Sequence, residues 1–310
     1  MTLDEWLALP DAPEQVELSP SDMRRLFWKY RGLLKTRERE HAYWSATNDN
    51  LFRAYEKLDH QEQQLAEAFS RLEEELAVAK QIQSALMPSG LDELAPQLEL
   101  AVWHQQLNAV GGDYFDFFAP THADAQLLCA VCDISGHGVS AALVMAYLKA
   151  LFTQSLPHSD EPRAVTEWLN QVALPFLKQA KKYATINFVR IREQELDYVC
   201  GGGFGLLIHG QECTSFNRKD HFIGLRDRPF SQHTLPFVAG DLLALYTDGI
   251  IEAQNSDGQD YSLARLERTL LAHATLPLDQ ILERCKADYH SFRSHDVDDI
   301  TLVLLRRRQR

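Results

Sequence analysis

Long apolar runs and basic residues are both scarce in this chain. No stretch approaches the roughly 18 consecutive apolar residues that a membrane-spanning helix needs, and the N-terminus is acidic where a secretory signal carries positive charge. The formal net charge of −13 over 310 residues would repel a nucleic-acid backbone. We therefore expect a cytoplasmic protein that binds neither membranes nor nucleic acids.

Cysteine is scarce as well, with an odd count of five. In a chain of this size, that number does not suggest a disulfide framework. Cys129 and Cys132 form a Cys-x-x-Cys motif, but they lie in an apolar run that predicts a β-strand, where positions three apart point to opposite faces. We expect reduced thiols with no zinc or redox role.

Helix-breaking residues are absent from Ser21 to Leu86, apart from Gly32. Ser19 is a suitable N-cap, and Pro20 suits the first position of a helix. The whole segment is therefore predicted to be helical.

The second half of this segment carries a seven-residue apolar period. Its d positions are Leu51, Leu58, Leu65, Leu72, Ala79 and Leu86, and its a positions are Tyr55, Glu62, Phe69, Leu76 and Gln83. The pattern favours a parallel coiled-coil homodimer, and the alternative is an amphipathic helix packed on its own domain. The aromatic first half is expected to bury a face against a second copy, another partner or its own domain.

Acidic residues stand at the ends of four predicted strands. They are Asp113 in Gly111-Gly112-Asp113, Asp133 in Asp133-Ile134-Ser135-Gly136-His137-Gly138, Asp248 in Thr247-Asp248-Gly249, and the pair Asp298-Asp299. One such residue alone is more often a turn or cap residue. Carboxylates gathered in one place repel one another unless cations hold them, and an all-oxygen set suits Mg²⁺ or Mn²⁺. The pattern therefore indicates a two-metal site of the kind that directs water at phosphorus.

With their flanking residues, these four motifs resemble those of the PPM-type metal-dependent protein serine/threonine phosphatases, in the bacterial RsbU/SpoIIE-like class. The resemblance covers residues 83–310. It implies an α+β fold, a four-layer αββα sandwich of two antiparallel sheets flanked by helices. It divides the chain into a helical regulatory and coiled-coil dimerisation segment at 1–86 and a phosphatase domain at 87–310.

The resemblance also implies roles at the site. The metal set that it predicts is Asp113, Asp133, Ile134, Asp248, Asp298 and Asp299. Asp133 would bridge two Mn²⁺ or Mg²⁺ ions, with the Ile134 carbonyl as a further ligand. Asp248 and Asp298 would hold one ion from the opposite side, and Asp133 and Asp248 are the catalytic candidates. Asp298 is favoured over Asp299 as the direct ligand, and a cap or a hydrogen bond is the alternative role of Asp299.

For three further residues near these motifs, the sequence leaves two roles open. Asp116 would face away from Asp113 on a regular strand and becomes a ligand only if a bulge intervenes. Glu252 is either a ligand of a peripheral metal or a solvated acid. His137 either donates a proton to the leaving oxygen or shapes the glycine loop around it.

The function implied is single-step hydrolysis of phosphoserine or phosphothreonine on a partner protein. The expected substrate is a phosphorylated anti-sigma-factor antagonist of the STAS type in a stress-response pathway. The upstream signal would arrive from another molecule through residues 1–86, and the helix at 74–88 would act as a lever on the metal site. The alternatives are a non-catalytic dimeric scaffold and a nucleotide cyclase, since Gly111-Gly112-Asp113-Tyr114-Phe115 is similar to the Gly-Gly-Asp/Glu-Glu-Phe hairpin of diguanylate cyclases.

Overall fold

The computed structural model describes residues 19–88, 95–121, 124–216 and 220–308. Residues 1–18 of the predicted regulatory segment lie outside these ranges. The chain divides into two compact units, residues 1–73 and residues 74–310. Across the described ranges, no helix combines the length and the apolar character that crossing a bilayer requires.

The N-terminal segment is one continuous helix, α1 (Pro20–Leu86), as the sequence predicts. Ser19 caps it, because its side-chain oxygen accepts a hydrogen bond from the amide of Asp22 at 3.2 Å. The heptad leucines from Leu51 to Leu72 are exposed, with Leu58 60% and Leu65 59% exposed. An apolar stripe this exposed is what a coiled coil would cover, and the dimer itself stays a prediction.

Beyond α1, the described part of the second unit contains ten strands and five helices. In chain order they are β1 (Leu98–Gln105), β2 (Tyr114–Phe118), β3 (Ala125–Cys132), α2 (Val139–Ser155), α3 (Pro162–Ala180), β4 (Ile186–Arg192), β5 (Glu195–Gly201), β6 (Phe204–His209), β7 (Glu212–Ser215), β8 (Gln232–Pro236), β9 (Leu242–Tyr246), α4 (Asp248–Ile251), α5 (Leu263–His273), α6 (Leu278–Phe292) and β10 (Ile300–Arg307).

The strands form two antiparallel sheets of five strands each. The first has the order β1-β10-β9-β6-β7, and the second has the order β2-β3-β4-β5-β8. Helices α2 and α3 pack on the outer face of the second sheet, and α5 and α6 pack on the outer face of the first. The predicted α+β fold, a four-layer αββα sandwich, is confirmed.

Strand β3 shows how one sheet serves two cores. Leu127 and Cys129 face the apolar layer between the two sheets, whereas Leu128 and Cys132 pack under α2 and α3. Because both faces are covered, this strand is apolar at nearly every position instead of alternating with polar residues. The two cysteines point to opposite faces as expected, and all five cysteines are free thiols.

The topology brings the acidic strand ends to one end of the sandwich, here called the acidic rim. In the second sheet, β2 begins after Asp113, and its antiparallel neighbour β3 ends before Asp133. In the first sheet, β9 ends shortly before Asp248, and its neighbour β10 begins after Asp299. Antiparallel neighbours place the start of one strand beside the end of the other, so motifs far apart in the chain meet here.

The second unit begins inside α1, at Glu74, whereas the predicted domain boundary lies at residues 86 and 87. The difference arises because the last turns of α1 pack on the domain that follows. Gln83 is only 4% exposed, and Leu86 lies against the core beneath α2 and α3. The end of the helix is therefore part of the second unit.

Candidate metal centre

Asp133 lies at the corner where β3 ends and the chain turns towards α2. Its amide donates to Thr185 Oγ1 at 2.9 Å, and its carbonyl accepts from the Thr185 amide at 2.8 Å. Gly136 and Gly138 follow with φ angles of 80° and 74°, a left-handed conformation that glycine adopts without strain. The loop is thus held through its backbone, which leaves the Asp133 carboxylate for other partners.

Asp113 is 2% exposed, and two threonines from the other sheet hold one of its oxygens. Thr247 Oγ1 donates to Asp113 Oδ2 at 2.8 Å, and Thr301 Oγ1 donates to the same oxygen at 2.6 Å. The threonines are joined as well, since the Thr301 amide donates to Thr247 Oγ1 at 3.0 Å. The sequence analysis did not identify Thr247 and Thr301 as partners of Asp113. The available signal was that each threonine stands within an acidic motif, which places a hydroxyl beside clustered carboxylates.

Asp299 is 3% exposed and holds the loop that precedes β2. Its Oδ1 accepts from the Leu107 amide and its Oδ2 accepts from the Gly112 amide, both at 2.7 Å. Gly111 cannot carry a side chain, because a Cβ there would collide with the Asp299 carboxylate. Both oxygens therefore have backbone partners, which favours the hydrogen-bonding role of Asp299, and its place in the metal set stays a prediction.

Asp248 and Asp298 approach each other at the acidic rim of the first sheet. Asp248 begins the short helix α4, and Asp298 Oδ1 accepts from the Asp299 amide at 2.8 Å. Gly249 permits the approach, because a Cβ there would collide with the Asp299 carbonyl oxygen. Asp298 is exposed and Asp299 is buried, so Asp298 is the more accessible member of its pair.

Burial, followed by repulsion among neighbouring carboxylates, raises the pKa values of these acids. Burial, followed by repulsion from Asp248 and Asp298, raises the pKa of Asp133 to about 7. Burial, followed by repulsion from Glu252 and Asp298, raises the pKa of Asp248 to about 6. Burial and then the charge of Asp133 raise the pKa of Asp113 well above its usual range. A cation among these groups would relieve the repulsion.

The donor set fits a hard divalent cation. Its members are carboxylates and one backbone carbonyl, the oxygen ligands that Mg²⁺ and Mn²⁺ prefer, and it contains no cysteine or histidine. Within the described ranges, no three His, Cys, Asp or Glu side chains are already placed tightly enough to enclose an ion. Binding would therefore draw the carboxylates closer together, and the assignment of individual ligands stays a prediction.

Asp116 lies apart from the acidic rim. Its Oδ2 accepts from Lys149 Nζ at 2.6 Å and from the Tyr114 hydroxyl at 2.7 Å, and the residue is 3% exposed. Lys149 belongs to α2, so this ion pair fastens the helix to the second sheet. The arrangement favours a structural role for Asp116.

Glu252 and His137 are both exposed at the acidic rim. The charge of Glu252 adds to the burial that raises the pKa of Asp248. Although Asp298 is exposed as a residue, partial burial of its carboxylate raises its pKa, and the nearby His137 opposes that rise. Both side chains are thus close enough to interact with the carboxylates of the acidic rim. For each of them, the two roles given by the sequence remain open.

Gln83 connects α1 to the loop that carries Asp113. Its Nε2 donates to the Gly111 carbonyl at 2.8 Å, and its Oε1 accepts from the Gly111 amide at 3.1 Å. Gln106 Nε2 donates to the same Oε1 at 2.7 Å. Sequence reasoning placed Gln83 in the coiled-coil seam, and the only sign of this second role was a polar residue at an a position.

Paired helices outside two antiparallel sheets, with carboxylates from four strand ends at one rim, define the class of the PPM-type metal-dependent phosphatases. A sequence model of the Stage II sporulation protein E (SpoIIE) family matches residues 123–308, which is more than half of the chain. The chain belongs to this family, and the predicted RsbU/SpoIIE-like class is confirmed.

Individual relatives agree with this assignment. The chain is 22% identical over 246 residues to the phosphoserine phosphatase RsbU of Bacillus subtilis, covering 76% of this chain and 71% of RsbU. It is 24% identical over 278 residues to Protein IcfG of Synechocystis sp., covering 79% of this chain but only 43% of IcfG, so it spans less than half of that relative. The SiaA-PP2C domain of Pseudomonas aeruginosa matches with a TM-score of 0.70 at 23% identity, covering 77% of this chain and 98% of that domain, which confirms the fold.

Proposed function

We propose that this chain is a metal-dependent protein phosphatase that removes phosphate from serine or threonine residues of a partner protein. The observation that carries the proposal is the meeting of Asp113, Asp133, Asp248 and Asp298 at one end of the sandwich, where burial and mutual repulsion raise their pKa values. Membership of the SpoIIE family supports it, because the relative RsbU is a phosphoserine phosphatase.

The residues that would hold the metal ions are Asp113, Asp133, Ile134 through its carbonyl, Asp248 and Asp298, and Asp299 remains a further candidate of the predicted set. Two Mn²⁺ or Mg²⁺ ions would lower the pKa of a water and neutralise the phosphoryl oxygens. In the overall reaction a water oxygen attacks phosphorus and the bond from phosphorus to the serine or threonine oxygen breaks. That oxygen leaves with a proton as the free hydroxyl, so no phosphoenzyme is required.

The contribution of the protein itself is to hold the donors in place before reaction. Thr247 and Thr301 fix the carboxylate of Asp113, and Thr185 fixes the backbone of Asp133. Asp299 fixes the loop before β2. Groups that are already oriented need no rearrangement as charge develops on the phosphoryl group, which is the main source of electrostatic catalysis.

The proposed substrate is a phosphorylated STAS-type anti-sigma-factor antagonist, and the proposed setting is a bacterial stress-response pathway. The support for both is the RsbU/SpoIIE-like class of the chain. A substrate of this kind is an intracellular protein, so a cytoplasmic location is part of the proposal. Mass spectrometry of proteins captured on a metal-site variant such as Asp133→Ala identifies the substrate, and capture of no phosphoprotein contradicts this part of the proposal.

Residues 1–86 are proposed as the regulatory and dimerisation segment that receives the upstream signal. The last turns of α1 act as a lever, because Gln83 contacts the Gly111 backbone in the loop that carries Asp113. A change in the position of α1 would therefore alter the metal centre through three hydrogen bonds at Gln83. If deleting residues 1–75 leaves both turnover and its metal dependence unchanged, the lever has no role.

Manganese-dependent hydrolysis of a phosphoserine peptide tests the activity directly. We expect turnover by the wild-type chain, and a loss of at least about a hundredfold in Asp133→Ala and Asp248→Asn. Asp257→Asn changes an exposed acid in a turn and is the matched control, with turnover like that of the wild type. A wild-type chain as inactive as the two site variants would support the scaffold alternative. The cyclase alternative finds no support in a SpoIIE-family fold.

A further inference from the structure

The segment that follows α3 is joined directly to the Asp133 loop. The Ser135 amide donates to the Tyr183 carbonyl at 2.9 Å, and the Tyr183 amide donates to Ser135 Oγ at 3.0 Å. Lys182 Nζ donates to the Ser135 carbonyl at 2.7 Å. Together with the two hydrogen bonds between Asp133 and Thr185, these contacts place residues 181–185 beside the candidate metal centre.

A second segment, residues 220–229, adjoins the first on its far side. Ala184 and Ile223 exchange two backbone hydrogen bonds, at 3.0 Å and 2.9 Å. Asn170 of α3 pins the segment further, donating to the Arg226 carbonyl at 2.8 Å and accepting from the Gly224 amide at 2.9 Å. Gly224 has a φ of 87° and lies so close to α3 that a Cβ would collide with Leu177. The segment is therefore a preformed surface.

The two segments present positive charge in a chain whose net charge is −13. Lys181, Arg226 and Arg228 are exposed, and no carboxylate of the described residues forms an ion pair with any of them. Asp220 and Asp227 lie in the same segment, where Asp220 accepts from the Ser231 amide at 2.8 Å. Glu167 of α3 is also close, since it accepts from the Phe230 amide at 3.1 Å. We call Lys181, Lys182, Arg226 and Arg228 the basic surface.

Apolar groups lie within the basic surface. Tyr183 is 41% exposed and packs against Phe222, with ring centroids 5.3 Å apart, and Leu225 is 42% exposed. A surface cleft of about 370 Å³ is lined by Phe222, Leu225 and Pro229, by Arg226 and Arg228, and by Asp220 and His221. A cleft that combines three apolar residues with two arginines and a single acid suits a peptide segment that carries acidic side chains around an apolar one.

We infer that the basic surface is the docking site for an acidic segment beside the phosphorylated serine or threonine of the protein substrate. The inference rests on the proposed function, because it places this segment next to the group to be hydrolysed. Attraction between the surface and the segment would speed encounter and orient the phosphoserine towards Asp133. A flanking sequence rich in Asp and Glu is thus the substrate feature that this chain selects.

Charge reversal tests the inference. The variant Arg226→Glu/Arg228→Glu is compared with Arg268→Glu/Arg284→Glu, which changes the net charge equally at exposed positions of α5 and α6. The substrates are two phosphoserine peptides that differ only in acidic or lysine flanks. The wild type has a higher kcat/KM for the acidic peptide than for the lysine peptide. Reversing the charge of the basic surface lowers this preference by about tenfold or more and raises kcat/KM for the lysine peptide. The control keeps the wild-type preference.

Fluorescence anisotropy of the same peptides measures their binding to the basic surface independently of turnover. The wild type binds the acidic peptide more tightly, and Arg226→Glu/Arg228→Glu reverses the order, which a misfolded variant could not do. An unchanged order in that variant, or an equal loss in the control, overturns the inference. Failure of the proposed function is a different result, namely no manganese-dependent hydrolysis of p-nitrophenyl phosphate by the wild type.

Discussion

Thr301 of the first sheet donates its hydroxyl hydrogen to Asp113 at the edge of the second sheet, across 2.6 Å. The carboxylate is 2% exposed, and this contact joins the two halves of the acidic rim. A buried polar group that loses its hydrogen-bond partner costs more free energy than the bond itself contributes. The contact therefore combines a structural role with the orientation of a predicted metal ligand.

Replacing Thr301 with valine removes the hydroxyl but keeps the shape of the side chain. We expect a loss of about 1–3 kcal/mol in the free energy of unfolding and weaker Mn²⁺ binding, because Asp113 loses one of its two threonine donors. Urea unfolding and a calorimetric Mn²⁺ titration measure the two effects. Thr301→Ser keeps the donor and should restore Mn²⁺ affinity, and equal affinity in the valine and serine variants would contradict the assigned role.

Asp298 and Asp299 are neighbours with different expected roles, so matched substitutions separate them. Asp298→Asn should abolish or strongly weaken Mn²⁺ binding with little effect on stability, because its carboxylate is exposed and, among the described residues, accepts a hydrogen bond from the Asp299 amide alone. Asp299→Asn should destabilise the domain by about 1–3 kcal/mol, because one of two backbone donors loses its acceptor. Parallel calorimetry and urea unfolding distinguish the pair, and the opposite pattern would exchange their roles.

The raised pKa of Asp133 predicts a pH-dependent stability of the metal-free chain. Its value is about 7 in the fold against 3.8 for the free side chain, mainly because of burial. The folded state thus holds a proton that the unfolded state releases, so the contribution of this group to stability is present below 3.8 and is lost as pH rises through about 7. Thermal unfolding in chelator should show stability falling across this window.

With Mn²⁺ bound, the stability of the chain should instead rise with pH, because the ligand carboxylates must be deprotonated. The apparent Mn²⁺ affinity should increase between about pH 5.5 and about pH 7.5, as Asp133 and Asp248 ionise. Calorimetry across the pH range measures the affinity and the protons released. Asp133→Asn should flatten the pH dependence of metal-free stability, and an undiminished slope in that variant would assign the effect to other groups.

Gln83→Ala removes the side chain that joins α1 to the loop before β2. We expect a loss of about 1–2 kcal/mol in stability, because the Gly111 amide and carbonyl both lose their partner. Hydrogen exchange at the Gly111 amide should become faster. Gln81→Ala, at an exposed position on the same helix, is the matched control and should leave that amide protected. Equal exchange in both variants would show that Gln83 does not hold the loop.

The exposed heptad leucines predict a homodimer that one charge can weaken. Leu65→Asp should weaken dimerisation at least about tenfold, because it places a carboxylate in the apolar seam of the coiled coil. Gln64→Asp adds the same charge one position outside the seam and should leave the dimer intact. Analytical ultracentrifugation measures both, and a wild-type chain that sediments as a monomer at every concentration would contradict the prediction.

Much of the fold could be predicted because its signals are local. The capped helix from Pro20 follows from Ser19 and from the lack of helix breakers. The apolar run 127–132 gives a strand, and the acidic motifs stand at strand ends as expected. The layer order and the phosphatase class came from the resemblance of motifs, since strand periodicity does not specify which strands pair. The predicted domain boundary at residues 86 and 87 stays a prediction, and the packing of Gln83 on the second unit could not be foreseen, because it leaves no mark on helical periodicity.

The amino-acid sequence by itself determined where the candidate acidic motifs stand, because strand endings, glycine turns and clustered acids are properties of short segments. Only the tertiary structure decided how the oxygens of those acids are used. Asp113 meets threonines 134 and 188 residues away, and Asp299 meets amides 187 and 192 residues away. Hydrogen bonds of this kind are set by the packing of two sheets, so which carboxylates are left for a metal is a property of the assembled sandwich.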